Sequence, residues 1–204
     1  MSPAYVLEPT YDTLRRRLFA GVWPSGQRLE AARLATELGV SMTPVRDSLN
    51  RLAGERLVHS SPGEGFQVPL LSETELRGLI DWHRALIGVA LGRRGAIAMP
   101  TDLPQGRDGI GERTAILFTA IASTAQSLEL HWALGNAAAR LGCYRRHEES
   151  VLDDAHSELA ALETLVRGGS RAGLARAIAR YHDRRRAVAG DLVHAARYAG
   201  SSDA

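Results

Sequence analysis

The sequence predicts a mainly α-helical protein of two unequal parts. Residues 9–68 show helical periodicity followed by a short extended stretch, whereas residues 73–199 are almost continuously helical in pattern. Of the 204 residues, 45% are hydrophobic and 24% are charged, a composition typical of globular proteins that excludes a disordered or collagen-like chain. We therefore expect one domain at residues 1–70 and a second at residues 71–204.

Two helices are predicted before residue 40. Apolar side chains at helical spacing over residues 11–18 indicate the first helix, and those over residues 34–38 indicate the second. Gly39 directly follows the second helix and tolerates the positive φ of a C-cap, so we expect the helix to end there.

A third helix follows after a short connection. Proline is tolerated only in a first helical turn, so the helix that contains Pro44 must begin at Ser41 or Thr43. Its predicted buried stripe is Val45, Leu49 and Leu52. Its predicted exposed face carries Met42, Thr43, Arg46 and Asn50.

The extended stretch completes the N-terminal part. Residues 57–59 and 66–68 are short apolar segments around a Pro/Gly loop, a pattern typical of a β-hairpin. Two helices joined by a glycine-containing turn and followed by a hairpin form a winged helix-turn-helix. Such a fold places the N-terminal side chains of its recognition helix against base edges in the major groove.

Residues 11–68 resemble the DNA-binding domain of the GntR family of bacterial transcription regulators. The resemblance rests on the turn Trp23-Pro24-Ser25-Gly26, on the run from Leu38 to Asp47 and on the wing residues Gly65 and Phe66. It implies that Ser41 and Thr43 contact DNA at the head of the recognition helix and that Arg46 reaches a guanine edge. It also implies that Gly65 lets the wing backbone approach the minor groove.

Three departures from the family pattern concern DNA contacts. Met42 stands where the family usually has a basic residue, and Glu64 stands at a wing tip that is more often basic. Ala31 and Ala32 replace an acidic–basic pair, which leaves Arg33 as a substitute cation. These changes imply a shifted operator sequence or weaker binding. The predicted DNA-binding residues are Arg33, Ser41, Met42, Thr43, Arg46, Asn50 and Gly65.

The second part is predicted to be an all-helical bundle. Ser72 and Glu75 have the spacing of a capping box, so a helix should begin there and run towards Ala98. Two prolines and three glycines over residues 100–111 predict a break. Further helices are expected from about Glu112, and over residues 128–144, 148–167 and 171–198. We expect Arg184–Arg186 to form a solvated face of the last helix.

Within the family, this helical part resembles the FadR-type (FCD) branch, over residues 74–86 and 156–182. The resemblance implies an effector pocket inside the bundle, where many members hold a divalent metal with one Asp and three His. Residues 115–121, the corresponding region, supply no ligand. Two imidazoles alone rarely hold a metal, so we expect no metal cofactor, with His156 and His182 as the candidate ligands if one binds.

The expected effector is therefore a small organic acid. Arg84 would hold its carboxylate, and His83, His156 and His182 would line the pocket. The alternative for Arg84 is an ion pair, and the alternative for each histidine is an ordinary core or surface position.

The predicted function is that of a bacterial DNA-binding transcription regulator, expected to be a repressor, whose operator affinity is modulated by this effector. We expect the protein in the cytoplasm, since the single cysteine, Cys143, favours a reducing compartment. We expect a homodimer on a palindromic operator of double-stranded DNA, with no membrane partner, because no apolar run approaches the roughly 18–20 residues of a span. A dimeric regulator with a degenerate pocket and no ligand is the alternative.

An enzyme is disfavoured, because the chain lacks a nucleophile elbow and a Gly-rich phosphate loop. A protein-interaction module remains an alternative for residues 1–70, where eight Arg face seven acids.

Overall fold

The structure, a computed structural model, describes residues 3–93, 97–99, 109–124 and 126–198. Within these residues the chain forms ten helices and one two-stranded antiparallel hairpin. The mainly α-helical fold with a hairpin in its N-terminal part is as the sequence predicted. The elements are α1 (Pro3–Phe19), α2 (Ala31–Leu38), α3 (Met42–Gly54), β1 (His59–Ser61), β2 (Gly65–Gln67), α4 (Glu73–Leu91), α5 (Ile110–Ser123), α6 (Leu128–Arg145), α7 (Glu148–Val151), α8 (Ala155–Arg167), α9 (Arg171–Ala187) and α10 (Ala189–Tyr198). None of the described helices is both long and apolar enough to cross a membrane.

The N-terminal part is a helix-turn-helix with a wing. Helix α1 packs across α3, and their facing apolar side chains, led by the fully buried Leu14 and Leu49, form one core. Gly39 ends α2 with a φ of 65°, which confirms the predicted left-handed C-cap. The hairpin begins at His59, two residues later than expected, because Leu57 and Val58 pack into the core instead of pairing.

The C-terminal part is a helical bundle around α4. Helices α5, α6 and α9 pack against α4 and enclose a second core. The predicted capping box at the start of α4 is confirmed: the Ser72 N–H donates to Glu75 Oε2 at 2.8 Å, and the Glu75 N–H donates to Ser72 Oγ at 3.3 Å. Helix α4 ends at Leu91, short of the expected Ala98, and residues 100–108 of the predicted break lie outside the described residues.

Two predicted long helices are wrong, since each is interrupted. The helix expected over residues 148–167 is split into α7 and α8, because Leu152 adopts extended dihedrals (φ −129°, ψ 101°) and lies buried. The helix expected over residues 171–198 is interrupted at Val188. The Gly190 backbone of α10 lies close to the carboxylate of Glu73, the first residue of α4, since a Cβ added at Gly190 would lie 3.1 Å from Glu73 Oε2. Helix α10 therefore begins where it packs against the start of α4.

The two parts share an extensive contact through α6. Ala139 belongs to the N-terminal core, and Asn136 Nδ2 donates to the Glu55 carbonyl at 2.7 Å, which ties α6 to the end of α3. At Gly142, an added Cβ would overlap the carbonyl oxygens of α1, so glycine permits this close approach. Because the two parts pack directly against each other, the structure does not divide them at one residue. The boundary at residue 70 therefore stays a prediction.

Candidate DNA-binding surface and the interior of the helical domain

The head of α3 is exposed and free of intramolecular partners. Ser41 takes the N-cap position with extended dihedrals, so α3 begins where the sequence predicted. Thr43, Arg46 and Asn50 are exposed, and the Met42 side chain is 49% exposed. Within the described part of the chain, Arg46 makes no hydrogen bond and no ion pair. Its guanidinium is therefore available for an external acceptor.

The opposite face of α3 fixes this surface in place. Val45, Leu49 and Leu52 are fully buried against α1 and α2, which confirms the predicted stripe. Further along, the Tyr11 hydroxyl donates to Glu55 Oε1 at 2.7 Å, and burial, together with this carboxylate, raises the pKa of Tyr11 to about 12. The recognition helix is therefore held rigidly by apolar packing and by a polar contact to α1.

The wing is a short hairpin in which Ser61 pairs with Gly65. Gly65 is exposed with a φ of 79°, a left-handed conformation that favours glycine. Arg28 forms a backbone bridge with Gln67 of β2, and its exposed side chain has no partner among the described residues. Sequence periodicity gave no signal for Arg28, because only the tertiary pairing brings it beside the wing.

Arg33, proposed as a substitute cation, is exposed but already paired. Its Nε lies 2.9 Å from Glu37 Oε1, one helical turn away, while Arg17 Nη1 lies 3.0 Å from the other oxygen of the same carboxylate. Hydrogen bonds from Arg33 and then Arg17 lower the pKa of Glu37. A DNA phosphate would have to compete with this carboxylate for Arg33.

Two of the four proposed effector residues meet inside the bundle. His83 on α4 and His182 on α9 are 0% and 2% exposed, and the His83 Nδ1 to His182 Nε2 distance is 2.8 Å. Burial lowers the pKa of His182 to about 4 and the pKa of His83 well below its ordinary value. Both rings are therefore neutral at physiological pH.

The tautomers of this pair follow from the acceptor at its end. The Ile178 carbonyl can only accept, so His182 Nδ1 donates to it at 2.7 Å. His182 Nε2 then carries a lone pair and accepts from His83 Nδ1. In the part of the chain that the structure describes, His83 Nε2 is left as a buried acceptor without a hydrogen-bond partner, and Arg145 Nη2 is a buried donor without one. The pair thus has a fixed direction and one unsatisfied end.

The structure does not bring Arg84 and His156 to this pair. Arg84 lies at the surface and forms an ion pair with Asp183, the alternative that the sequence left open. His156 lies on α8 and contacts Glu149 Oε1 at 2.7 Å. The four residues therefore do not form one pocket, because Arg84 and His156 find acidic partners elsewhere.

The interior also holds a charged side chain that we expected to be solvent-exposed. Arg185 is buried, not solvated as expected, and donates to Glu148 Oε2 at 2.7 Å and to Glu158. Its guanidinium carbon lies 3.5 Å from the centre of the Tyr181 ring. The cavity between these groups and His182 measures about 20 Å³, room for one water molecule.

The residues present do not fit a metal site of the kind that the resemblance implies. Both nitrogens of His182 are used in hydrogen bonds, which leaves it no lone pair for a metal. His156 lies on α8 beside Glu149 and is not brought to His83, so the two histidines do not supply ligands to one site. Among the described residues, no three His, Cys, Asp or Glu side chains form a cluster that could hold a metal ion.

Comparisons with known proteins agree with the geometry of the N-terminal part. Residues 8–68 match the family model for bacterial regulatory proteins of the gntR family. An HTH-type transcriptional regulator from Agrobacterium vitis is 29% identical over 100 residues, which cover 49% of this chain and 58% of that protein. The regulator McbR of Escherichia coli K12 is 35% identical over 82 residues, which cover 39% of this chain and 37% of McbR. The chain thus spans about half the length of these curated relatives or less.

Solved structures extend the similarity of fold to both parts. The structure of E. coli McbR/YncC superposes with a TM-score of 0.64 at 18% identity, covering 91% of this chain and 97% of that one. A transcriptional regulator GntR from Rhodococcus sp. RHA1 gives 0.55 at 20% identity, with 90% and 96% covered. At these identities the similarity concerns the fold, an N-terminal helix-turn-helix followed by a helical domain.

Proposed function

Because the chain belongs to the GntR family through the DNA-binding domain at residues 8–68, we propose that it is a bacterial transcription regulator that binds operator DNA. The relatives that it matches are transcription regulators. We place its site of action in the cytoplasm and expect no enzymatic activity.

One observation carries this proposal: one face of α3, including its head, is solvent-exposed, whereas the opposite face is packed against α1 and α2. Ser41, Thr43, Arg46 and Asn50 lie on the exposed face, and Arg46 has no partner among the described residues. An unpaired guanidinium near the start of a recognition helix suits the two acceptors of a guanine edge in the major groove. The exposed wing glycine, Gly65, would approach the neighbouring minor groove.

We propose a two-fold homodimer as the binding species. A single helix-turn-helix reads only a few base pairs, and a symmetric dimer doubles that reading on a palindromic operator. Exposed apolar side chains of the helical part, including Trp82 and Val89 at 52% exposure each, provide surface for such a contact. Sedimentation of the full chain would measure this stoichiometry.

The experiment that tests operator binding is a gel shift with the DNA upstream of the chain's own gene. We expect Arg46→Ala to weaken binding of the specific fragment by about 1–3 kcal/mol, as for a lost Arg–guanine contact, and to change binding of random DNA far less. Arg176→Ala, an exposed arginine on α9, is the matched control for total charge. Equal losses on both DNAs, or no shift of any upstream fragment by the wild type, would contradict the proposal.

The second part of the proposal is a response to a small organic acid. Arg145 beside the buried His83–His182 pair supports it, because Arg145 Nη2 is a buried donor without a hydrogen-bond partner among the described residues. The packed interior, with its cavity of about 20 Å³, favours instead the regulator that works without a ligand. A thermal-shift screen of small acids separates the two, since a ligand of the native state raises the unfolding temperature.

A further inference from the structure

A larger cavity lies where the DNA-binding part meets the bundle. It is bounded by α1, α3, α5 and α6, and its volume is about 450 Å³. Its wall residue Phe118 separates it from the histidine pair, since the Phe118 ring packs edge-on against His83 with ring centres 4.7 Å apart. Cavities of this size hold small organic ligands. The side chains that give it chemical character are Tyr11, Arg15, Arg51, Phe118, His131 and Trp132.

Arg15 is the unusual member of this wall. Its Nε is buried without a hydrogen-bond partner, and no carboxylate among the described residues pairs with its guanidinium. Arg17 and Arg51 in the same domain each have a carboxylate within 3.0 Å. A buried donor without an acceptor costs free energy, so an acceptor supplied by a ligand would recover it. The Arg15 guanidinium is therefore half-buried and has no anionic partner among the described residues, so it can bind the anionic group of a ligand.

The neighbouring helix leaves space for this side chain. At Gly135 of α6, an added Cβ would lie 3.1 Å from Arg15 Nη2, closer than most real Cβ contacts. Glycine at this position thus lets the end of the Arg15 side chain lie close to α6 beside the cavity.

The chemistry of the lining defines the ligand class. Arg15 and Arg51 are cations, His131 adds an imidazole, and no Asp or Glu lies among the described residues that line this cavity. The rest of the wall is apolar and rich in aromatic rings, which favour a flat apolar body. We propose that this cavity binds a small aryl carboxylate, with its carboxylate on Arg15 and its ring among Phe118, Trp132 and Phe19.

A ligand at this site would act directly on the recognition helix. Arg51 belongs to α3, where its Nη1 lies 2.9 Å from Glu8 and its guanidinium carbon 3.8 Å from the centre of the Tyr11 ring. Because Arg51 lines the same cavity, a carboxylate held by Arg15 would bring negative charge near Arg51, weaken its pairing with Glu8 and so bias the position of α3 against α1. This consequence rests on the proposed DNA binding, whereas the binding site itself does not.

Binding is tested on the full chain by calorimetry with benzoate, phenylacetate and indole-3-acetate as probes. We expect at least one to bind saturably at millimolar concentration or below, and its uncharged amide to bind at least about tenfold more weakly. Arg15→Gln should weaken the same acid by about tenfold or more, whereas Arg180→Gln, which changes an exposed arginine of α9, should not.

Three results would overturn the site: no saturable binding of any probe to the folded wild type, equal affinity for acid and amide, or unchanged affinity in Arg15→Gln. A separate gel shift, run with and without the acid, measures whether acid binding changes DNA binding. If the acid binds but the protein shifts no upstream DNA, the cavity stands and the proposed function fails. If the protein binds DNA but none of the acids, the proposed function stands and the cavity proposal fails.

Discussion

The buried His83–His182 pair makes stability depend on pH in a window where most carboxylates do not titrate. Both imidazoles are neutral in the folded chain, and burial lowers the pKa of His182 from its ordinary 6.5 to about 4. A group with a lowered pKa in the folded state binds protons more readily when unfolded. Its stabilising contribution is therefore complete above about pH 6.5 and is lost as the pH falls towards 4.

The magnitude follows from the same linkage. One pH unit below the unfolded pKa, the unfolded chain gains about 1 kcal/mol from protonating His182 that the folded chain cannot gain. His83 has its pKa lowered in the same direction, so the two histidines together should lower the free energy of unfolding by about 2–3 kcal/mol between about pH 7.5 and about pH 5.5.

Urea unfolding at the two pH values measures this change. His182→Gln removes one buried imidazole and should reduce the pH dependence by about 1 kcal/mol, whatever it does to stability at neutral pH. His194→Gln, at an exposed position, is the control and should leave the pH dependence unchanged. His147, whose pKa burial also lowers, is present in every variant and cancels. An identical pH dependence in wild type and His182→Gln would refute the reasoning.

Two further predictions concern the helix-turn-helix itself. Gly39→Ala should destabilise the chain by about 1 kcal/mol, because a φ of 65° is unfavourable for alanine although no atom lies within 4 Å of the added Cβ. Gly54→Ala, equally free of neighbours but without a positive φ, is its matched control, and equal effects of the two in thermal melts would exclude the backbone explanation. Leu49→Ala empties a fully buried site under α3 and should cost about 2–5 kcal/mol in chemical unfolding. A cost within the error of the measurement would show that α3 is not held by this core.

The sequence by itself determined the elements that depend on neighbours along the chain. Gly39 and Pro44 delimit α2 and α3, and the Ser72–Glu75 capping box starts α4, because caps and first turns are satisfied within four residues. The same local rules predicted the exposed head of α3, since a helical period separates its buried and exposed faces. Asp153 and Asp154, before α8, were a local signal for the break after α7, but the continuing apolar period hid it.

Only the tertiary structure decided which distant side chains meet. His83 and His182 are 99 residues apart and are brought together by the packing of α4 against α9, whereas Arg84, adjacent to His83, faces Asp183 at the surface. Arg15 and Arg17 belong to one run of three arginines in the sequence. Nothing in that run indicated that Arg17 would form an ion pair with Glu37 or that Arg15 Nε would have no hydrogen-bond partner among the described residues. Periodicity reports which face of a helix is buried, but the partner on that face depends on how helices from distant parts of the chain pack together.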